Sequence, residues 1–355
     1  MKLFKKDKKK ETITQANLEE SREVILAKGK KFKYPFQYAK HRVVINTVMI
    51  CVVVLIAFTA VGWAELYKVQ STSEVAFRFT KVLGLPVASV DGHSVKYSDY
   101  LMLYRSSLQS IEYQQGALDK SEDSDRQRQH YKRQALSLAE DYAYAMAKLE
   151  EAGIEISDEE IDEVIENHRS IGGERRSDEA FKGIVRNNFN LSIKEYRRLV
   201  LLSLAKKKYS SEFDDTAKNT ANVIHGRLLA NGGDMKAALT GYIEDGSASY
   251  ESVESMVEVS NLDGGRAAKA MTLANVGDIS EPFVSRNGDG YYIVKLTAKE
   301  DTALSYESIW VRFVDFDVTM AKIREEGKVK EYIELASETD GEAVEPATEI
   351  DAPAE

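Results

Sequence analysis

The 355-residue chain has little of several things, and each shortage excludes a class of protein. One cysteine, Cys51, leaves no partner for an internal disulfide and rules out a cysteine-built zinc or iron–sulfur site. Five histidines, at 41, 93, 130, 168 and 225, show no HExxH or other close ligand spacing, so no metal site is expected. Five prolines and 21 glycines in this length exclude a collagen-like or Pro/Gly-rich disordered chain. Basic residues are in deficit, 48 against 58 acids, and the net charge of −10 argues against nucleic acid as a partner. There is no GxSxG elbow, no Walker loop and no GxGxxG after a strand. No cofactor is expected.

Charge is also missing from one stretch, and there the absence is itself a signal. Residues 43–64, VVINTVMICVVVLIAFTAVGWA, carry no ionisable acid or base over 22 positions. At about 1.5 Å per residue such a helix spans roughly 30 Å of hydrocarbon. A cleaved signal peptide has a shorter apolar region behind a shorter start, so the run is read as a retained anchor. Residues 1–42 hold 11 Lys and 2 Arg against 5 acids, net +8, while residues 65–355 carry net −18. The expectation is a single-pass plasma-membrane protein, with a cytoplasmic segment 1–42 and an extracytoplasmic part 65–355. Trp63 and Tyr67 fall where interfacial aromatics belong.

Beyond a juxtamembrane linker, 65–86, VASV and HSVKY flank Asp91-Gly92, the signature of a two-residue hairpin turn. Apolar residues then recur at helical spacing: Leu101, Tyr104, Leu108 and Ile111, and again Ala135, Leu138, Tyr142, Ala145 and Leu149 before Gly153. Ser157 with Glu160 and Ser192 with Glu195 read as capping boxes opening two further helices. Lys194, Arg197, Arg198 and Lys206 to Lys208 make a basic cluster, read as a solvated face, with contact to acidic clients or phospholipid as the alternative. From 221 onward short apolar runs alternate with glycine, and EPFVSRNGDGYYIVKL, 281–296, reads as a hairpin. SYESIWVRFVDF is expected as a strand and 319–335 as a final helix. The last residues, 337–355, hold seven acids and no base, a composition that cannot order itself.

Two stretches resemble a family. VASVDGHSVKYSDY, LEEAGIEISDEEIDEVI and FKGIVRNNFNLSIKEYRRLVLLSLAKKKY are similar to the amino-terminal domain of the SurA, PpiD and PrsA group of bacterial extracytoplasmic foldases. LANVGDISEPFVSRNGDGYYIVKL resembles the closing hairpin of a parvulin-type prolyl isomerase. The resemblance implies an α+β organisation: a mainly helical chaperone domain at 87–215, a small parvulin-like domain at 216–300, and a returning strand and helix at 301–336.

It also implies site residues. The first-strand histidine corresponds to His225, the acidic or cysteine position to Asp263, and the second histidine to Tyr292, with Phe283 and Tyr292 as substrate contacts. The Met- and Phe-bearing stretch that forms the family's proline pocket after the double glycine has no counterpart beyond Gly264-Gly265. The barrier to prolyl rotation, about 18 to 20 kcal/mol, is lowered only by a shaped apolar slot with polar groups favouring the twisted amide. The expected function is therefore a membrane-anchored chaperone that binds unfolded segments of exported proteins, its parvulin-like module weak or inactive. An active prolyl isomerase using His225 and Asp263, and a structural envelope protein with one dedicated partner, stand as alternatives.

Overall fold

The computed structural model describes residues 15–33, 38–119, 121–170, 175–259 and 263–335. The acidic segment 337–355 lies outside them. Two compact units divide the chain, 1–69 and 70–355.

The first unit contains helix α1 (Gln15–Lys33) and helix α2 (Tyr38–Trp63), which runs into a π-helical turn at Ala64–Lys68. Residues Arg42–Lys68 are long and apolar enough to cross a membrane; Val43, Val53, Leu55, Ile56 and Phe58 along them are exposed, and Leu66 near their end is buried. Trp63 and Tyr67 sit with ring centroids 6.2 Å apart.

The second unit opens with a difference from the sequence reading. Within the expected 65–86 linker lies a helix, α3 (Glu74–Leu83), because Ser73 caps it, its Oγ accepting from the Ala76 N–H at 3.2 Å, and Gly84 closes it in the left-handed region. Ala76, Phe77 and Thr80 form its buried face.

Strands β1 (Pro86–Val90) and β2 (His93–Lys96) form the expected hairpin, Asp91 and Gly92 both at positive φ as the tight turn requires. Helices α4 (Tyr97–Gln115), α5 (Glu122–Glu151), α6 (Asp158–Arg169), α7 (Asp178–Phe189) and α8 (Ile193–Phe213) follow. They pack through Leu101, Leu103, Leu136, Ala145, Val185 and Leu202. Both capping boxes form. Four of the six residues of the basic cluster on α8 form ion pairs: Arg197 with Asp158 and Asp162, Arg198 with Asp99 at 2.6 Å, Lys206 with Asp141 at 3.2 Å and Lys208 with Glu160 at 2.7 Å. These pairs stitch α8 to α4, α5 and α6.

Next come α9 (Asp215–Ala230), α10 (Met235–Ala238), β3 (Ala248–Glu258), α11 (Arg266–Met271), β4 (Phe283–Val284), β5 (Gly290–Lys299), β6 (Ala303–Arg312), α12 (Asp315–Glu325) and β7 (Val329–Glu331). Three expectations change here. VIHGRLL, read as a strand, is the second half of α9, because Asp214 caps the helix and Ala217, Ala221, Ile224 and Leu228 repeat every three or four residues. The strand in SYESIWVRFVDF, read as returning to the helical domain, is β6, which is hydrogen-bonded on both sides in an antiparallel sheet of order β3-β6-β5-β4. A cut at residue 300 would run through the middle of that sheet. The final helix expected at 319–335 stops at Glu325. Gly327 takes positive φ, and β7 returns to the open edge of β1, giving the small sheet β2-β1-β7.

Asp214 joins these parts. It is 2% exposed, its Oδ1 accepts from the Ala217 N–H at 2.8 Å, and its Oδ2 accepts from the N–H groups of Val314 and Asp315 at 2.6 and 3.0 Å.

Candidate functional site

Side chains alternate across the four-stranded sheet, so its two faces carry different chemistry. Tyr291, Ile293, Ile309 and Val311 point to one face, covered by Ala217, Ala221, Ile224 and Leu228 of α9 with Met235 and Leu239. Val294, Leu296, Leu304 and Tyr306 point to the other and are covered at one end by Ala267 and Ala270 of α11. The rest of this second face stays open. There Ser249, Glu251, Arg266, Asp289, Tyr292, Ser308 and Trp310 line a cavity of about 170 Å³.

The register explains the grouping. Trp310 pairs across the strands with Ser249 and Tyr292, Tyr292 with Phe283, and Ser308 with Glu251, which brings side chains from four strands to one end of one face. Arg266, the first residue of α11, lies across them. Its Nε donates to the Asp263 carbonyl at 2.8 Å and its Nη1 to Ser308 Oγ at 3.2 Å. It forms an ion pair with Glu251, and its guanidinium carbon lies 4.9 Å from the Tyr292 ring centroid. Burial, followed by the negative charge of Asp289, pushes the Tyr292 phenol above its ordinary range. Trp310 Nε1 and Asp289 Oδ1 are buried without a hydrogen-bond partner among the described residues, one a donor and the other an acceptor.

Two glycines make room for this arrangement. A Cβ on Gly264, at φ +73°, would stand 2.8 Å from the Tyr292 ring, and one on Gly290 would stand 2.1 Å from the Val311 carbonyl oxygen. Gly264 and Gly290 are thus required by the close approach of the Tyr292 ring and of the Val311 carbonyl.

The four residues expected from the sequence are only partly assembled. Phe283 and Tyr292 meet, ring centroids 6.1 Å apart. Asp263 lies beside them, but its carboxylate is occupied: Oδ2 accepts from Tyr306 Oη at 2.6 Å and from the Ala267 N–H at 2.8 Å, and Oδ1 from the Gly265 N–H at 3.1 Å. It anchors the start of α11. Burial, then this bond to Asp263, raises the Tyr306 phenol. His225 is elsewhere. It is carried by α9, the helix packed on the opposite face, is 9% exposed, and has its Nδ1 3.4 Å from Glu281 Oε2. A His225–Asp263 catalytic pair is not formed.

Arg266, Ser308, Trp310, Glu251 and Asp289 were not foreseen. The signal was the alternation of Tyr306, Ser308 and Trp310 with Ile309 and Val311, whose even positions mark a face less apolar than the odd ones. What this geometry offers is a shallow aromatic and polar recess. Its lining combines Ser249, Ser308, Glu251, Asp289 and Arg266 with the two rings, and Ser308 Oγ accepts from Arg266.

Together these features define a helical domain joined to a small α+β part with a recess on one face of its sheet. Residues 36–210 match the family model of the SurA-like N-terminal domain, which supports the SurA, PpiD and PrsA family. The match starts ahead of the apolar helix α2 and ends within α8. No curated protein matches the chain. A SurA-like domain is consistent with a chaperone-type extracytoplasmic family associated with unfolded client proteins.

Proposed function

We propose that the protein is a membrane-anchored extracytoplasmic chaperone that holds unfolded segments of exported polypeptides, with residues 216–300 and β6 forming a parvulin-like module that binds without isomerising. The observation that carries the reading is the span of the family match, 36–210, which takes in both the apolar helix α2 and the helical domain. The +8 segment before the helix supports a cytoplasmic N-terminus, since basic flanks are retained on that side.

The recess supports binding over catalysis. The Tyr292 and Trp310 rings line an open recess with Ser249, Glu251, Arg266 and Ser308, polar side chains of the kinds that bond to the N–H and C=O groups of a peptide. Such contacts read backbone and tolerate sequence, as a holder of unfolded chains requires. Neither a histidine nor an enclosed apolar slot is present there to twist a prolyl bond.

The test uses the full chain reconstituted in vesicles and a permanently unfolded, reduced and alkylated test protein. The expected result is suppression of its aggregation, weakened by Trp310→Ala and unchanged by His225→Ala, with no acceleration of prolyl isomerisation in a tetrapeptide. Rapid isomerisation abolished by Asp263→Asn would establish the enzyme instead. Failure to suppress aggregation of several unrelated unfolded proteins would favour a structural protein with one partner.

A further inference from the structure

We propose that the outer stripe of α3 is a lipid-contact surface that lies in the headgroup region of the membrane the chain is anchored in. At about 100° per residue, α3 presents three stripes. Ala76, Phe77 and Thr80 are buried in the domain. Glu74, Arg78 and Lys81 form a charged stripe beside them. The third stripe is Val75, Phe79, Val82 and Leu83, and it is apolar throughout: Val75 is 78% exposed, Val82 84% and Leu83 53%, with Phe79 half-buried.

A helix bearing two apolar stripes, only one of them inside its own domain, needs a second apolar medium. The length of chain before it indicates which. Five residues separate Lys68, the end of the apolar segment, from Glu74. At no more than about 3.5 Å each, with the two end links they tether the start of α3 within roughly 20 Å of that end. Capping by Ser73 and Gly84, and the buried stripe, hold the helix as a formed element of its domain. The charged stripe suits the headgroup region as well. Glu74, the one acid of the stripe, is neutralised by Arg78 at 2.7 Å and by Arg105, so the stripe carries no uncompensated negative charge to repel lipid phosphate. Lys81 is held by Glu195 at 2.9 Å and is not needed.

The inference rests on α2 spanning the bilayer, and the experiment separates the two claims. Cys51, the one cysteine, lies within α2 and serves as the reporter of the span. The full chain is labelled with an environment-sensitive fluorophore at Cys51, or at Val82→Cys, Val75→Cys or the exposed Glu122→Cys in a Cys51→Ser background. Each protein is reconstituted in phosphatidylethanolamine and phosphatidylglycerol vesicles with or without brominated acyl chains. The expected result is blue-shifted emission quenched by bromine at 51, 75 and 82, and water-like, unquenched emission at 122. Quenching at 51 with water-like emission at 75 and 82 overturns the α3 surface and leaves the span standing. No quenching at 51 overturns both. Blue-shifted emission at 82 that ignores bromine and follows the protein-to-lipid ratio assigns the stripe to a second copy, and emission that shifts only on adding unfolded protein assigns it to client. Either outcome overturns the proposal.

Discussion

Glu140 offers the sharpest test of how the returning segment is held. It lies on α5, 2% exposed, with Oε1 lacking a partner among the described residues and Oε2 3.7 Å from the Arg324 guanidinium of α12. Burial, then the negative charge of Glu331 on β7 and of Asp141, outweighs Arg324 and Arg133 and pushes the carboxyl from 4.5 up to about 7. Arg324 gives little relief because it already donates to Asp141 at 2.9 Å and to Ser137 at 3.0 Å. Between pH 4.5 and about 7 the folded chain therefore keeps a proton that the unfolded chain releases. Stability is highest with that proton in place, falls as pH rises through the window, and levels off above it. The displacement corresponds to about 3 kcal/mol, taking about 1.4 kcal/mol per pH unit. Glu140→Gln keeps the shape and cannot ionise. It should be near neutral at pH 4.5 and stabilise by about 3 kcal/mol at pH 8, less whatever the new amide N–H groups lose by imperfect pairing. Urea unfolding of the full chain in detergent micelles, followed by far-ultraviolet circular dichroism at both pH values, measures it. A Glu140→Gln effect that is the same at pH 4.5 and pH 8, or destabilising at pH 8, would refute the reasoning.

Other consequences follow from single contacts. Asp214→Ala removes the cap of α9 and the acceptor for Val314 and Asp315, and should lower stability by about 2 to 5 kcal/mol, with Asp214→Asn recovering part of it, read as urea midpoints. Gly264→Ala drives a methyl against the Tyr292 ring at positive φ and should cost about 1 to 3 kcal/mol, whereas Gly226→Ala, in α9 with open space around it, should be neutral or slightly stabilising. Arg197→Ala breaks two exposed ion pairs and should move the midpoint by no more than about 1 kcal/mol, an effect that shrinks in salt.

Much of this chain could be read from local sequence. The apolar run at 43–64, the Asp91-Gly92 hairpin, the two serine–glutamate capping boxes, the α5 periodicity ending at Gly153 and the closing hairpin at 281–296 each depend on residues a few positions apart. Their signals are turn chemistry, capping and the period of apolar residues, which need no knowledge of the rest of the fold.

What only tertiary structure decided is which surfaces meet. The alternation in SYESIWVRF suits any half-buried strand, and it became β6 because both β3 and β5 had ladders to fill. KVKEYIEL has helical spacing, yet after Gly327 its first residues joined the open edge of β1, where unpaired backbone groups outweigh a short run's weak helical preference. His225 and Asp263 are 38 positions apart, and their separation onto opposite sides of a sheet was set by which stripe of α9 was most apolar. The same is true of the basic residues of α8, which became cross-links because acids on α4, α5 and α6 were folded against them. Local residues determine what an element is; burial and pairing across distant parts of the chain determine what it faces, and the site is made of what is faced.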